Sequence, residues 1–91
     1  MLKINLSKDA ERFLRKLPAK HGKQIAERLH LLMTDADALP SVELKGYAPY
    51  RRATSGEYRI IYYVQEDTLF IPLIGKRNDD EVYQLLKRFL R

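Results

Sequence analysis

Near its C-terminus the chain reads "GKRNDDEVYQLLKRFLR" (residues 75–91), with Lys76, Arg77, Asn78, three acids and Tyr83 crowded ahead of an amphipathic helical stretch. Two of these residues carry chemical promise. A guanidinium such as that of Arg77 presents a planar fork of donors that fits phosphate oxygens. A phenol such as that of Tyr83 serves as a base where neighbouring cations favour the phenolate. The acids have a simpler account: Asn78 or Asp79 caps the last helix, and Asp80 and Glu81 meet its positive end. Capping explains neither Arg77 nor Tyr83. Tyr83 lies one position from Val82 in the apolar stripe, so half-buried packing competes with a chemical role.

A further cation stands in "SGEYRIIYYV" (residues 55–64). Period two puts Tyr58, Ile60, Tyr62 and Val64 on one face of a strand, and Arg59, Ile61 and Tyr63 on the other. An arginine between apolar neighbours is costly unless it is paired or opens into a groove. Arg59 therefore either pairs with Glu57, Asp79 or Asp80, or clamps a phosphate.

Other chemistries find little support. The chain has no Cys, which removes disulfides and thiolate metal sites. His21 and His30 are nine apart on one helix, hence on opposite faces, and read as packing or solvated side chains. No His or carboxylate pair has metal-ligand spacing. Gly22, Gly46, Gly56 and Gly75 make no phosphate-binding loop. The expected mechanism, if there is one, uses neither metal nor cofactor.

These residues must be positioned by a small fold. Ninety-one residues, 45% hydrophobic and 32% charged, suit a single globular domain over 1–91. A net charge of +5 favours a polyanionic partner, since each neutralised phosphate releases counterions; an acidic protein is the alternative. Neither an export-type apolar segment nor a run of ~20 apolar residues occurs. The expectation is a cytoplasmic protein without membrane contact.

Leu2 to Leu6 alternates like a strand. Ser7 stands where an N-cap belongs, with Asp9 and Glu11 in the first turn of a helix over 8–16. Pro18 ends that helix and opens another over about 19–37, striped by Ile25, Ala26, Leu29, Leu32 and Met33. Residues 38–49, with two prolines and a glycine, read as a loop. Strands follow at 50–54, 57–65 and 68–74, joined by turns at Ser55–Gly56 and Glu66–Asp67. Pro72 cannot donate to a ladder and calls for an edge or a bulge. A helix over 80–90 finishes the chain, striped by Val82, Leu85, Leu86, Phe89 and Leu90. The order β-α-α-β-β-β-α predicts an α+β domain: an N-terminal helical hairpin on a mainly antiparallel sheet, with a C-terminal helix.

The ordered set Gly56-x-Tyr58-Arg59, Gly75-x-Arg77 and Val82-Tyr83, with "LKG" (44–46) before the central strands, resembles the RelE/ParE toxin superfamily over nearly the whole chain. Within it, the likeness is to the RelE-type messenger-RNA interferases. That resemblance implies the toxin of a bacterial type II toxin–antitoxin pair. Such enzymes cut messenger RNA in the ribosomal A site, without metal, by attack of a 2′-OH on the adjacent phosphate. Arg59, Arg77 and Tyr83 match the family's functional positions. The implied roles are base for Tyr83, phosphate holder for Arg59, and stabilisation or protonation of the leaving oxygen for Arg77.

Related toxins carry two alternating basic residues before the central turn, where this chain has "YRRATSGEYR" (50–59). One alignment offers Arg52 and Thr54, the other Arg51 and Ala53; Arg52 is the preferred groove residue. One cation is missing either way, and Lys45 or Lys76 is the candidate replacement. The implied partners are a cognate antitoxin, messenger RNA on the ribosome, and operator DNA only through the antitoxin. Two alternatives remain: a ParE-type gyrase inhibitor, and a catalytically weak antitoxin-binding scaffold, for which Thr54 speaks.

Overall fold

The computed structural model describes residues 1–77 and 81–90. Its first turn is fixed by Ser7. The Ser7 hydroxyl accepts the Ala10 N–H at 3.0 Å, capping α1 (Lys8–Lys16), and donates to the Pro72 carbonyl at 2.6 Å. One side chain thus ends β1 (Lys3–Leu6), starts α1 and ties both to a later strand. Pro18 stands immediately before α2 (Ala19–Thr34). This helix stops three residues short of the expected 37. Asp35 leaves the helical conformation, and its carboxylate accepts the Asp37 N–H at 2.9 Å, a local alternative to the helical ladder.

The expected loop 38–49 holds an additional short strand, β2 (Ser41–Glu43). Pro40 and Pro49 bound the segment, and the three residues after Pro40 pair with β3 (Arg51–Ser55). Then come β4 (Tyr58–Gln65), β5 (Thr68–Lys76) and α3 (Glu81–Phe89). The sheet order is β1-β5-β4-β3-β2, with β1 parallel to β5 and the other neighbours antiparallel. The expected α+β architecture is present, with β5 inside the sheet, between β1 and β4, rather than at an edge. Pro72 sits in a bulge. Ile61 pairs with Leu73 but Tyr63 with Phe70, so Ile71 and Pro72 together oppose Tyr62, and the missing N–H falls where the ladder is already interrupted.

The sheet is covered on both faces. Against one lie α1 and α2, burying Ala10, Ile25, Leu29 and Leu32 on Ala53, Tyr58, Ile60, Tyr62, Leu69, Ile71 and Ile74. On the other, α3 buries Leu86 with Leu44, Ile61 and Leu73, fringed by Tyr47, Tyr50 and Tyr83. Asn78, Asp79 and Asp80, expected to cap α3, lie outside the described residues, and so does the Glu81 side chain. The side chains of Val82, Leu85 and Phe89 in the predicted stripe are likewise outside them.

Candidate active site

The second face of the sheet is where the cations gather. Gly56 takes φ +59°, a left-handed conformation that glycine adopts without penalty. It closes the β3–β4 hairpin so that Arg52 pairs with Ile61 and Thr54 with Arg59; Arg59 in turn faces Gly75 on β5. Side chains alternate, so Arg52, Arg59 and Ile61 share one face, the face that α3 covers.

Tyr83, in the first turn of α3, completes the group. Its half-buried ring packs at the margin of Leu44, Ile61, Leu73 and Leu86. Its hydroxyl accepts a hydrogen bond from Nη1 of Arg52 at 2.5 Å, and the Arg59 guanidinium carbon lies 5.3 Å from the ring centroid. The separation fits a cation–π contact. Packing and polar contact are thus both true of Tyr83: the ring anchors the helix and the oxygen turns to a cation. Among the described residues, neither Arg52 nor Arg59 is paired with a carboxylate. Two half-buried guanidinium groups around one phenol form a site that attracts an anion.

The other candidates are distributed differently. Arg51 points to the sheet edge: its Nε donates to the Ser41 hydroxyl at 3.0 Å, and its guanidinium lies 4.0 Å from the Glu43 carboxylate. Arg77 donates its backbone N–H to the Glu57 carbonyl at 2.6 Å, extending the ladder beyond β5. Its side chain is exposed and makes no hydrogen bond or ion pair among the described residues. Lys76 pairs in register with Tyr58 and so belongs to the hairpin side; Lys45 is exposed in the β2–β3 connection. His21 packs on the hairpin side with Nδ1 2.6 Å from the Tyr58 hydroxyl, and His30 is exposed.

Sequence reading left a set of aromatic contacts unnoticed. Tyr50 meets Tyr63 edge-on at 5.0 Å, and Tyr63 stacks on Phe70 at 4.9 Å with rings 10° apart. Burial, and secondarily the neighbouring Tyr63, pushes the Tyr50 phenol above its ordinary value. Tyr50 therefore keeps its proton where a base must lose one. Among the described residues, no cluster of three or more His, Asp or Glu side chains is arranged to hold a metal, and no helix is long and apolar enough to cross a membrane.

The family model for the ParE toxin of type II toxin–antitoxin systems matches residues 4–81. Matched along most of its length, the chain belongs to that family, within the RelE/ParE superfamily. Solved structures share the fold at low identity. The isolated RelE toxin of E. coli is 20% identical with a TM-score of 0.72, with 100% of each chain covered. The toxin–antitoxin complex RelBE2 of Mycobacterium tuberculosis gives 22% identity and a TM-score of 0.74, covering 84% of this chain and 98% of that one. The YoeB dimer of Staphylococcus aureus gives 23% and 0.66, covering 81% and 94%. No curated protein matches the sequence significantly.

Proposed function

We propose that this type II toxin is an endoribonuclease that cleaves messenger RNA positioned by the ribosome. The observation carrying the reading is the convergence of Arg52 and Arg59 on Tyr83. Tyr83 is the general base that takes the proton of a ribose 2′-OH. The 2′ oxygen then forms a bond to the adjacent phosphorus as the bond to the 5′ oxygen breaks. The products are a 2′,3′-cyclic phosphate and, once the leaving oxygen takes a proton from water, a 5′-hydroxyl. Arg59 holds the phosphate, Arg52 meets charge at the phenol oxygen and the phosphorane, and Arg77 stabilises the leaving oxygen. A guanidinium holds its protons too firmly to be a good acid, which makes charge stabilisation the better part for Arg77. A site built from one phenol and several guanidinium groups gains most from a substrate aligned by something larger. That argues for the ribosomal A site.

Purified toxin added to a translating extract is expected to cut messenger RNA at fixed codon positions; intact messenger at toxin concentrations that stop growth overturns the reading. One observation favours a second reading. The matching family model is that of ParE, and a gyrase poison leaves messenger intact while accumulating gyrase–DNA cleavage complexes.

The natural partner of the cationic face is a cognate antitoxin with an acidic segment. Several structural neighbours are toxin–antitoxin complexes. Acidic residues meeting this surface give fast, salt-sensitive association, and gel filtration of the co-expressed pair against the toxin alone tests it. Operator DNA is reached only through that antitoxin, and the setting is the cytoplasm.

A further inference from the structure

The aromatic row lies on the same face of the sheet as Arg52, Arg59 and Tyr83, and nothing in the mechanism above uses it. Its existence depends on the bulge at Pro72. In the register of Ile60–Ile74 and Ile61–Leu73, Tyr63 would oppose Ile71; the extra residue on β5 brings Phe70 there instead. Tyr63 and Phe70 stack nearly parallel, 4.9 Å apart. Tyr50 closes the row at its inner end, 5.0 Å from Tyr63, two residues before Arg52 and within the aromatic fringe that includes Tyr83. At the outer end a shallow open cleft is lined by Asn5, Ser7, Tyr63, Phe70, Ile71 and Pro72. Asn5 is the register partner of Phe70 on β1; it is exposed, and its carboxamide makes no hydrogen bond among the described residues.

We propose that Phe70 and Tyr63, with Asn5 across the cleft, form a stacking site for a purine base of single-stranded RNA, next to the phosphate held by Arg52 and Arg59. The assignment rests on the polyanion being RNA. Aromatic faces beside a cationic track are how single-stranded nucleic acid is gripped: bases stack while guanidinium groups meet the backbone. Packing alone does not require this layout. Tyr63 and Phe70 lie outside the cluster that α3 buries, and both are half-buried, not sealed in. Asn5 adds selectivity, because a carboxamide offers the donor and acceptor that match the N6 and N7 edge of adenine. Adenine is accordingly the preferred base.

The test measures binding of a fluorescent 2′-O-methyl hexamer, which cannot be cut, alongside inorganic polyphosphate, which has charge and no bases. Tyr63→Leu and Phe70→Leu keep apolar bulk and lose the ring. Each is expected to weaken hexamer binding roughly ten-fold, the scale of one lost stack, with polyphosphate binding and Tm nearly unchanged. Tyr63→Phe is expected to bind as wild type does. Asn5→Ala is expected to abolish preference for oligoadenylate over oligouridylate. The proposal is overturned if the leucine variants bind the hexamer normally, if polyphosphate binding falls equally, or if the wild-type protein binds the hexamer no more tightly than polyphosphate. Failure of the nuclease reading looks different: messenger stays intact in the translating extract, while ring-dependent hexamer binding persists.

Discussion

Nη1 of Arg52 donates to the hydroxyl of Tyr83 across 2.5 Å, joining the first strand of the central hairpin to the last helix. The two residues are 31 positions apart, and only the folded chain makes them neighbours. The Arg59 guanidinium, over the ring of the same tyrosine, confines the phenol from a second side. A tyrosine that merely closed the core would not need its oxygen aimed at a cation.

Tyr83→Phe separates anchoring from chemistry. The phenylalanine ring keeps its packing against Leu44, Ile61, Leu73 and Leu86 and its place beneath Arg59. Cleavage in a translating extract is expected to fall by roughly 10²–10⁴, the range for loss of a proton-transfer group. Tm is expected to move by only a few degrees. Undiminished cutting would reduce Tyr83 to a packing residue.

Arg51 and Arg52 provide a matched pair. Arg52→Ala is expected to relieve growth inhibition, and Arg52→Lys to restore it incompletely, since an ammonium lacks the planar fork. Arg51→Ala removes contacts to Ser41 and Glu43 at an exposed edge. Its expected cost is under about 1 kcal/mol of stability, with toxicity retained. Growth curves after induction, with circular dichroism of each variant, decide between them. An equal effect of both alanine variants would mean that the hydrogen bond to Tyr83 is incidental.

The sequence announced some of this site and concealed the rest for identifiable reasons. Alternation along residues 58–65 placed Arg59 with Ile61 and apart from Tyr58, Ile60 and Tyr62, and Ser7 announced its cap. Arg51 and Arg52 could not be ranked securely, because neighbouring strand residues point oppositely and only pairing with β2 and β4 decides which faces α3. Strand β2 escaped because three residues between prolines carry almost no periodicity. The Tyr63–Phe70 stack was out of reach in a different way. It depends on a one-residue slip at Pro72, and although proline signalled a possible bulge, nothing local says which residues a bulge will bring together. Arg77 was set beside Tyr83 by the family resemblance, and the fold shows of it an exposed side chain and a backbone N–H bonded to Glu57 just past β5.

Tyr50 links stability to alkaline pH. Its phenol is raised by burial and, secondarily, by Tyr63. A folded-state value above the unfolded one means the native protein holds this proton more tightly. The contribution is complete below the unfolded value, ~10, and is lost as pH rises through the folded one. Denaturant midpoints of the wild type are therefore expected to fall more steeply above about pH 10 than those of Tyr50→Phe. Parallel curves would show that the Tyr50 phenol is not responsible.

On the hairpin face, Tyr62 is 1% exposed and its hydroxyl has no hydrogen-bond partner among the described residues; the Ser55 hydroxyl shares that condition. A buried polar group without a partner costs about 1–3 kcal/mol. Tyr62→Phe removes the oxygen and keeps the ring between β3 and β5. The variant is expected to gain about 1 kcal/mol, equivalent to roughly 4–8 °C in Tm for a domain of this size. Because Tyr62 faces away from Tyr83, cleavage by the stabilised variant is expected to match wild type. A lower Tm would show that the hydroxyl is hydrogen-bonded in solution, with buried water the first candidate.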